Sequence, residues 1–180
     1  MKDYLRREIP LGKGVQASLV QNMLFLKGPK GEAKREFVHP KVKISIEGDK
    51  IILQSPKATK REKTIMGSFQ SHIRNLVQGV VEPHLYTLKI CSGHFPMSVA
   101  VSGNEFVLKN FLGESVARKV KVIPGATIKI TGTDITVSSP DVEVAGQMAA
   151  CIEQLCRITN RDLRIFQDGI YITMKAGQEI

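Results

Sequence analysis

The sequence predicts an α+β fold built of two tandem, similar domains, each an antiparallel β-sheet packed against one α-helix. Three observations lead there. One unit of about eighty residues recurs along the chain; each copy opens with runs that alternate apolar and polar residues; each then changes to an apolar stripe of helical period. The boundaries read as 1–82 for the first copy and 83–180 for the second, joined near Val81-Glu-Pro-His-Leu85.

The repeat is visible residue by residue. LFLKGPKGE at 24–32 matches FVLKNFLGE at 106–114, pairing Leu26, Lys27, Gly31 and Glu32 with Leu108, Lys109, Gly113 and Glu114. KISIEGDKI at 43–51 matches KITGTDI at 129–135, and Ser55-Pro56 matches Ser139-Pro140. In the first copy Val15-x-Ala17-x-Leu19 and Val42-x-Ile44-x-Ile46 alternate, and Gly48-Asp49 turns the chain into Ile51-Ile-Leu53. In the second, Met97-x-Val99-x-Val101 leads to Gly103-Asn104. Val120-x-Val122 and Ile128-x-Ile130 follow, and Gly132-Thr-Asp134 turns into Ile135-x-Val137. Period-two runs broken by Gly, Asn and Asp are antiparallel strands with one buried face.

The helix of the first copy starts at a capping box, Thr59-x-x-Glu62, carries Ile65, Phe69, Ile73 and Leu76 on one face, and meets a stop at Gly79. The second helix starts at Ser139-Pro140-Asp141, read as a proline in the first helical position with an acid at the positive dipole end. Val144, Met148, Ile152 and Leu155 form its stripe. Such faces are core contacts, because a unit with a single helix must bury it on its sheet.

Lys+Arg number 26 and Asp+Glu 17, a net charge of +9, which favours an anionic partner, nucleic acid first. Neither a signal-peptide core nor an apolar run long enough for a bilayer is present, so no membrane association and a cytoplasmic location are expected. Three cysteines cannot all pair within one chain, and Cys151 and Cys156 lack redox or zinc spacing, so they read as reduced structural thiols. His39, His72, His84 and His94 are scattered without metal-ligand spacing. No GxSxG, HExxH, Walker or dinucleotide motif occurs, so no catalytic residue, cofactor, metal or small-molecule substrate is expected. Gly12-Lys-Gly14 reads as a strand-entry turn, and Gly28-Pro-Lys-Gly31 as a tight basic turn, either a phosphate contact or a plain hairpin tip.

Basic residues gather in four clusters: Lys27/Lys30/Lys34/Arg35, Lys57/Lys60/Arg61/Lys63, Arg118/Lys119/Lys121 and Arg157/Arg161/Arg164. Clusters on loops and at element ends suit one shared polyanion. Three Tyr, seven Phe and no Trp leave few rings for stacking a single strand, so folded RNA, held through phosphates and shape, fits better.

From Gln154 the chain reads QLCRITNRDLRIFQDGIYITMK. Gln154, Ile158, Arg161, Arg164, Phe166, Asp168, Gly169, Ile170, Tyr171, Ile172 and Lys175 fill the places of a motif that resembles the C-terminal signature of the large-subunit ribosomal protein six family, in its archaeal and eukaryotic branch, whose eukaryotic member is numbered nine. Asn110-Phe-Leu-Gly-Glu114, His94-Phe-Pro96 and the duplicated plan are similar to that branch too, and the resemblance spans the chain. The bacterial Tyr-Lys-Gly-Lys-Gly stretch and the tryptophan-bearing eukaryotic insertion are both absent, which points to an archaeal source.

The resemblance implies a non-catalytic constituent of the large ribosomal subunit in the cytoplasm. Its partners would be large-subunit rRNA, near the sarcin–ricin loop and the translation-factor site, and neighbouring large-subunit proteins. Arg161, Arg164 and Lys175 are the candidates for phosphate contact, with Arg157, Arg118, Lys119 and Lys109 in the same set. Gln154 and Asn160 either reach RNA or cap the helix end. Phe166 and Tyr171 read as packing residues, Leu163 and Ile165 as anchors, and Asp168-Gly169 as a turn with glycine at positive φ. Charge counting alone puts the RNA elsewhere, since residues 1–82 carry 16 basic and 8 acidic residues and 83–180 carry 10 and 9. A free-standing RNA-binding or RNA-processing protein is the alternative, and a protein-binding adaptor a third class.

Overall fold

The computed structural model describes residues 3–12 and 14–180, so Lys13 of the Gly-Lys-Gly turn lies outside the described residues. The chain divides into two compact units, 1–83 and 84–180. In the first, β1 (Asp3–Pro10), β2 (Gln16–Val20), β3 (Met23–Gly28), β4 (Gly31–Glu36), β5 (Lys43–Glu47) and β6 (Lys50–Ala58) precede α1 (Lys60–Val81). Two antiparallel sheets result, in the orders β1-β6-β5 and β2-β3-β4. Ile9, Leu24, Leu26, Ile51, Leu53, Met66 and Ile73 meet in one core, so α1 covers both sheets at once.

The second unit repeats this order with β7 (His84–Cys91), β8 (Ser98–Ser102), β9 (Glu105–Lys109), β10 (Arg118–Lys121), β11 (Thr127–Thr131), β12 (Asp134–Ser139) and α2 (Val142–Leu155). It then adds β13 (Gly169–Lys175) and the short β14 (Gln178–Glu179). Its sheets run β10-β9-β8 and β11-β12-β7-β13-β14, over a core that includes Leu88, Phe106, Leu108, Ile135, Val137, Met148 and Ile152. The α+β class therefore holds, with each unit's sheet resolved into a pair. Gly48 and Gly132 occupy matching hairpin turns at φ 57° and 61°, a conformation in which a side chain would be strained.

Several local expectations are corrected. Strands β1 and β7 were not expected from the pattern, because an inward position of each carries a polar residue. Arg7 lies between the inward Leu5 and Ile9 and donates from Nη1 to Gln70 Oε1 at 2.5 Å, and His84 opens the inward row of β7. Met66, Ile73, Leu76 and Val80 are the fully buried apolar side chains of α1, with Ile65 and Phe69 only partly buried. Gly79 does not end α1 but is buried within it, and the helix runs to Val81. In α2 the buried row is Ala145, Met148, Ala149 and Ile152, with Val144 and Leu155 beside it.

The two helix starts also differ from each other. Thr59 donates its backbone N–H to Glu62 Oε2 at 2.8 Å as part of the capping box, and its hydroxyl donates to the same carboxylate. At the second start Asp141, not Pro140, borders the helix: its carboxylate accepts from Glu143 N at 2.9 Å, and Pro140 stands one residue outside. Ser139 Oγ accepts from Asp141 N at 3.2 Å. Its sequence match Ser55 sits instead inside β6, just before a bulge that accommodates Pro56, and its buried hydroxyl has no partner among the described residues.

Candidate nucleic-acid interface

After Leu155 the helix stops, and residues 156–168 form an irregular arm that returns the chain to β13 beside β7. Ile158 and Thr159 are β-branched, and Asn160 adopts φ 58°, so the helical path does not continue. At the helix end the amides of Cys156 and Arg157 donate to Glu153 O and Gln154 O, both at 3.1 Å, and Arg118 takes carbonyls that follow. Its Nη1 donates to Leu155 O at 2.8 Å and to Arg157 O at 3.0 Å.

Arg118 is itself held by Glu114, through Nε at 2.8 Å and Nη2 at 2.6 Å, and its guanidinium lies 4.4 Å from the Phe111 ring centroid. That fork keeps the Glu114 carboxyl below the usual carboxylate range. Asn110-Phe-Leu-Gly-Glu114 builds this support by a tight reversal: Asn110, Leu112 and Gly113 have φ of 59°, 49° and 77°, Phe111 and Leu112 are buried, and Asn110 Nδ2 donates to Pro96 O at 2.9 Å. The expected equivalence of Gly31-Glu32 with Gly113-Glu114 is thus one of letters only. Gly31 and Glu32 open β4, whereas Gly113 and Glu114 lie in the loop ahead of β10.

At its other end the arm is fixed by Asp168. Only 2% exposed, its carboxylate accepts from the backbone N–H of Gly93, from His94 N at 3.0 Å and from His94 Nδ1 at 2.5 Å. Burial works against its ionisation, yet the His94 amide and ring, with the Gly93 amide, hold its carboxyl below the ordinary value. Asp168-Gly169 is therefore not a turn. Gly169 begins β13, and a Cβ there would lie 3.1 Å from the Tyr171 ring, so glycine serves a close approach. Tyr171 donates from its hydroxyl to Gln167 O at 3.0 Å.

Between these two fastenings the side chains face outward. Arg157, Asn160, Arg161 and Arg164 are all exposed. Arg161 stands over the Phe166 ring at 4.9 Å, and the His94 ring packs on Phe166 with centroids 4.9 Å apart. Arg164, with its side chain 89% exposed, is braced by Asp162 through Nε at 3.1 Å and Nη2 at 2.7 Å. Leu163 and Ile165, expected as anchors, are each 63% exposed, and Asp168 is the anchor in their place. Sequence reasoning passed over Asp168, His94 and Glu114 as site supports; the one signal was their membership of the quoted motifs.

The remaining candidates lie apart in character. Lys175 ends β13, exposed, opposite Tyr86. Lys109 ends β9, exposed. Lys119 pairs with Glu105 at 3.4 Å. Arg118 has four of its five N–H donors engaged within the protein. Among the described residues no group of His, Cys, Asp and Glu could hold a metal ion, and no helix is long and apolar enough to cross a membrane.

The pattern that defines ribosomal protein L6 matches residues 11–82 and again 95–169, once in each unit. The large ribosomal subunit protein uL6 of Nanoarchaeum equitans is 41% identical over 184 aligned residues, covering 98% of this chain and 96% of that protein. That of Haloarcula marismortui is 39% identical over 173, covering 96% and 97%. With the duplicated fold and the fastened arginine arm, these matches establish that the chain belongs to the ribosomal protein L6 family.

Proposed function

We propose that this protein is a structural, non-catalytic constituent of the large ribosomal subunit in the cytoplasm, binding large-subunit rRNA near the sarcin–ricin loop and the translation-factor site, beside neighbouring large-subunit proteins. The observation that carries the reading is the arm 156–168: it projects Arg157, Arg161 and Arg164 from a backbone tied down at both ends by Arg118 and Asp168. Arginines held in place lose little freedom on binding, and their planar forks suit phosphate oxygens. Arg161, Arg164 and Lys175 take the phosphate contacts in this reading, with Arg157, Asn160, Lys109 and Lys119 flanking them. Arg118 acts behind them by holding the arm.

The experiment is reassociation of the purified chain with salt-washed large subunits across a range of salt. Arg164→Glu is expected to leave the fold intact, since that side chain is 89% exposed and bonds Asp162, itself exposed, and to weaken uptake about tenfold. Each cation removed from a phosphate lowers the slope of log affinity against log salt by roughly 0.7–0.9. Normal uptake by Arg164→Glu would remove that residue from the interface.

A further inference from the structure

A cavity of about 590 Å³ opens beside the arm, between the end of β7 and the start of β13. Cys91, His94, Ile165, Gln167 and Tyr171 line it, with Asp168 at its base. Two features set it apart from a groove that merely follows a phosphate backbone. Its one charged residue is an anion, the buried Asp168, whose carboxylate is already bonded to Gly93 and His94. A phosphate entering here would approach a carboxylate, whereas a neutral, flat group would not be repelled. The walls, moreover, expose apolar and ring surface that nothing in the unit covers: Ile165 is 63% and Tyr171 44% exposed.

From this geometry we propose that the cavity receives one unstacked nucleobase of the RNA, an inference that rests on the RNA-binding reading above. The chain has few rings, and this corner gathers His94, Phe166 and Tyr171. An ionised Asp168 can only accept, so His94 Nδ1 carries the proton and Nε2 is left to meet an outside partner. The base stacks on the exposed rings and against Ile165, while Arg161 and Arg164 hold the phosphates on either side. Because Asp168 fixes the walls before RNA arrives, little ordering is needed on entry. Arginines at the rim bring affinity without base identity; a base in the cavity adds a contact that fixes register.

Cys91 makes occupancy measurable. It is exposed in the cavity, whereas Cys156 is buried, with burial pushing its thiol up to about 11, and Cys151 is partly buried and replaceable by alanine. The full chain carrying Cys151→Ala is treated with N-ethylmaleimide, alone and bound to a large-subunit rRNA transcript that includes the sarcin–ricin loop. Bound RNA is expected to slow alkylation of Cys91 at least tenfold. Tyr171→Leu and Ile165→Ala should each weaken binding, the first about tenfold, with the salt slope unchanged. Ile165 is exposed enough that its variant folds normally, so a folding defect in Tyr171→Leu would not decide the matter. RNA bound at full affinity with Cys91 alkylated at the free rate overturns the nucleobase and leaves the RNA reading intact. Protection that appears only when other large-subunit proteins are added overturns it as well, in favour of a protein segment. Failure of the chain to bind the transcript at all removes both readings.

Discussion

The two units share a plan, and two of the places where they part company serve the arm. Counted from their caps, Thr59 and Asp141, the helices should be equally long, yet α1 has 22 residues and α2 has 14. The last two turns of α1 bury Leu76 and Val80, and the residues that follow Leu155 in the second unit become the arm. The second departure is the connection from the middle strand of each small sheet to an edge strand. β3 reaches β4 through Pro29-Lys30, and Ala33 stands opposite Leu26. β9 reaches β10 through 110–117, and Arg118 stands opposite Leu108. A small buried residue in one copy is thus a helix-capping arginine in the other. Duplication supplied a stable frame, and one copy exchanged helix for a presented loop.

The sheets teach the same lesson at their edges. Among the described residues β1 pairs only with β6, and its outer side carries the charge and proline that discourage pairing with another chain: Arg6, Glu8 and Pro10. β7, its counterpart, lies between β12 and β13. The largest expected effect therefore follows from removing residues 169–180. Ile170, buried in the core, and the partly buried Ile172 are lost together, at roughly 2–4 kcal/mol each, and β7 loses a strand partner. Against a total stability of order 5–15 kcal/mol, the second unit should no longer fold. Hydrogen exchange should then show protection in 3–83 alone. Retained protection in α2 and β12 would mean that β13 is an addition to a self-sufficient unit, and that the two copies differ less than their topology implies.

The next effect is confined to the arm's fastening, which the first unit lacks. Asp168→Ala leaves two amides and an imidazole without their acceptor and should cost about 3 kcal/mol, measured by urea unfolding of the second unit. Asp168→Asn keeps a carbonyl for the amides and should cost about 1 kcal/mol. Equal losses in the two variants would show that charge, rather than acceptor count, holds the arm.

How much of this was legible depends on the distance over which each device acts. Turns, caps and stripes are local, so Gly48, Gly132 and the Thr59–Glu62 box could be read directly, and the duplication followed from matched letters. The fastenings join residues far apart in the chain: Asp168 reaches back to Gly93 and His94, and Arg118 forward to Leu155 and Arg157. No period or spacing encodes such a meeting. Asp-Gly is ordinarily turn chemistry, and here the same pair supplies a buried acceptor and a place for the Tyr171 ring. Leu163 and Ile165 misled for the opposite reason, since apolar residues in alternation normally face a core.

The smallest effect returns to the first unit and separates the copies by acid. Glu62 is buried at the start of α1, where the Thr59 hydroxyl and amide, then Lys41 Nζ at 3.2 Å, hold its carboxyl down at about 2. Because that is below the ordinary 4.5, its stabilisation is complete above about pH 4.5 and is lost as pH falls towards 2. The start of α2 relies on Asp141 accepting from Glu143 N, without a buried carboxylate three residues on. Glu62→Gln should therefore lower the first unit's melting temperature modestly at neutral pH and flatten its decline between pH 4.5 and 2, with the second unit's curve unmoved. Thermal melts across that range, followed by a probe in each unit, check both halves. An unchanged acid slope in Glu62→Gln would assign the acid sensitivity of the first unit to other carboxylates.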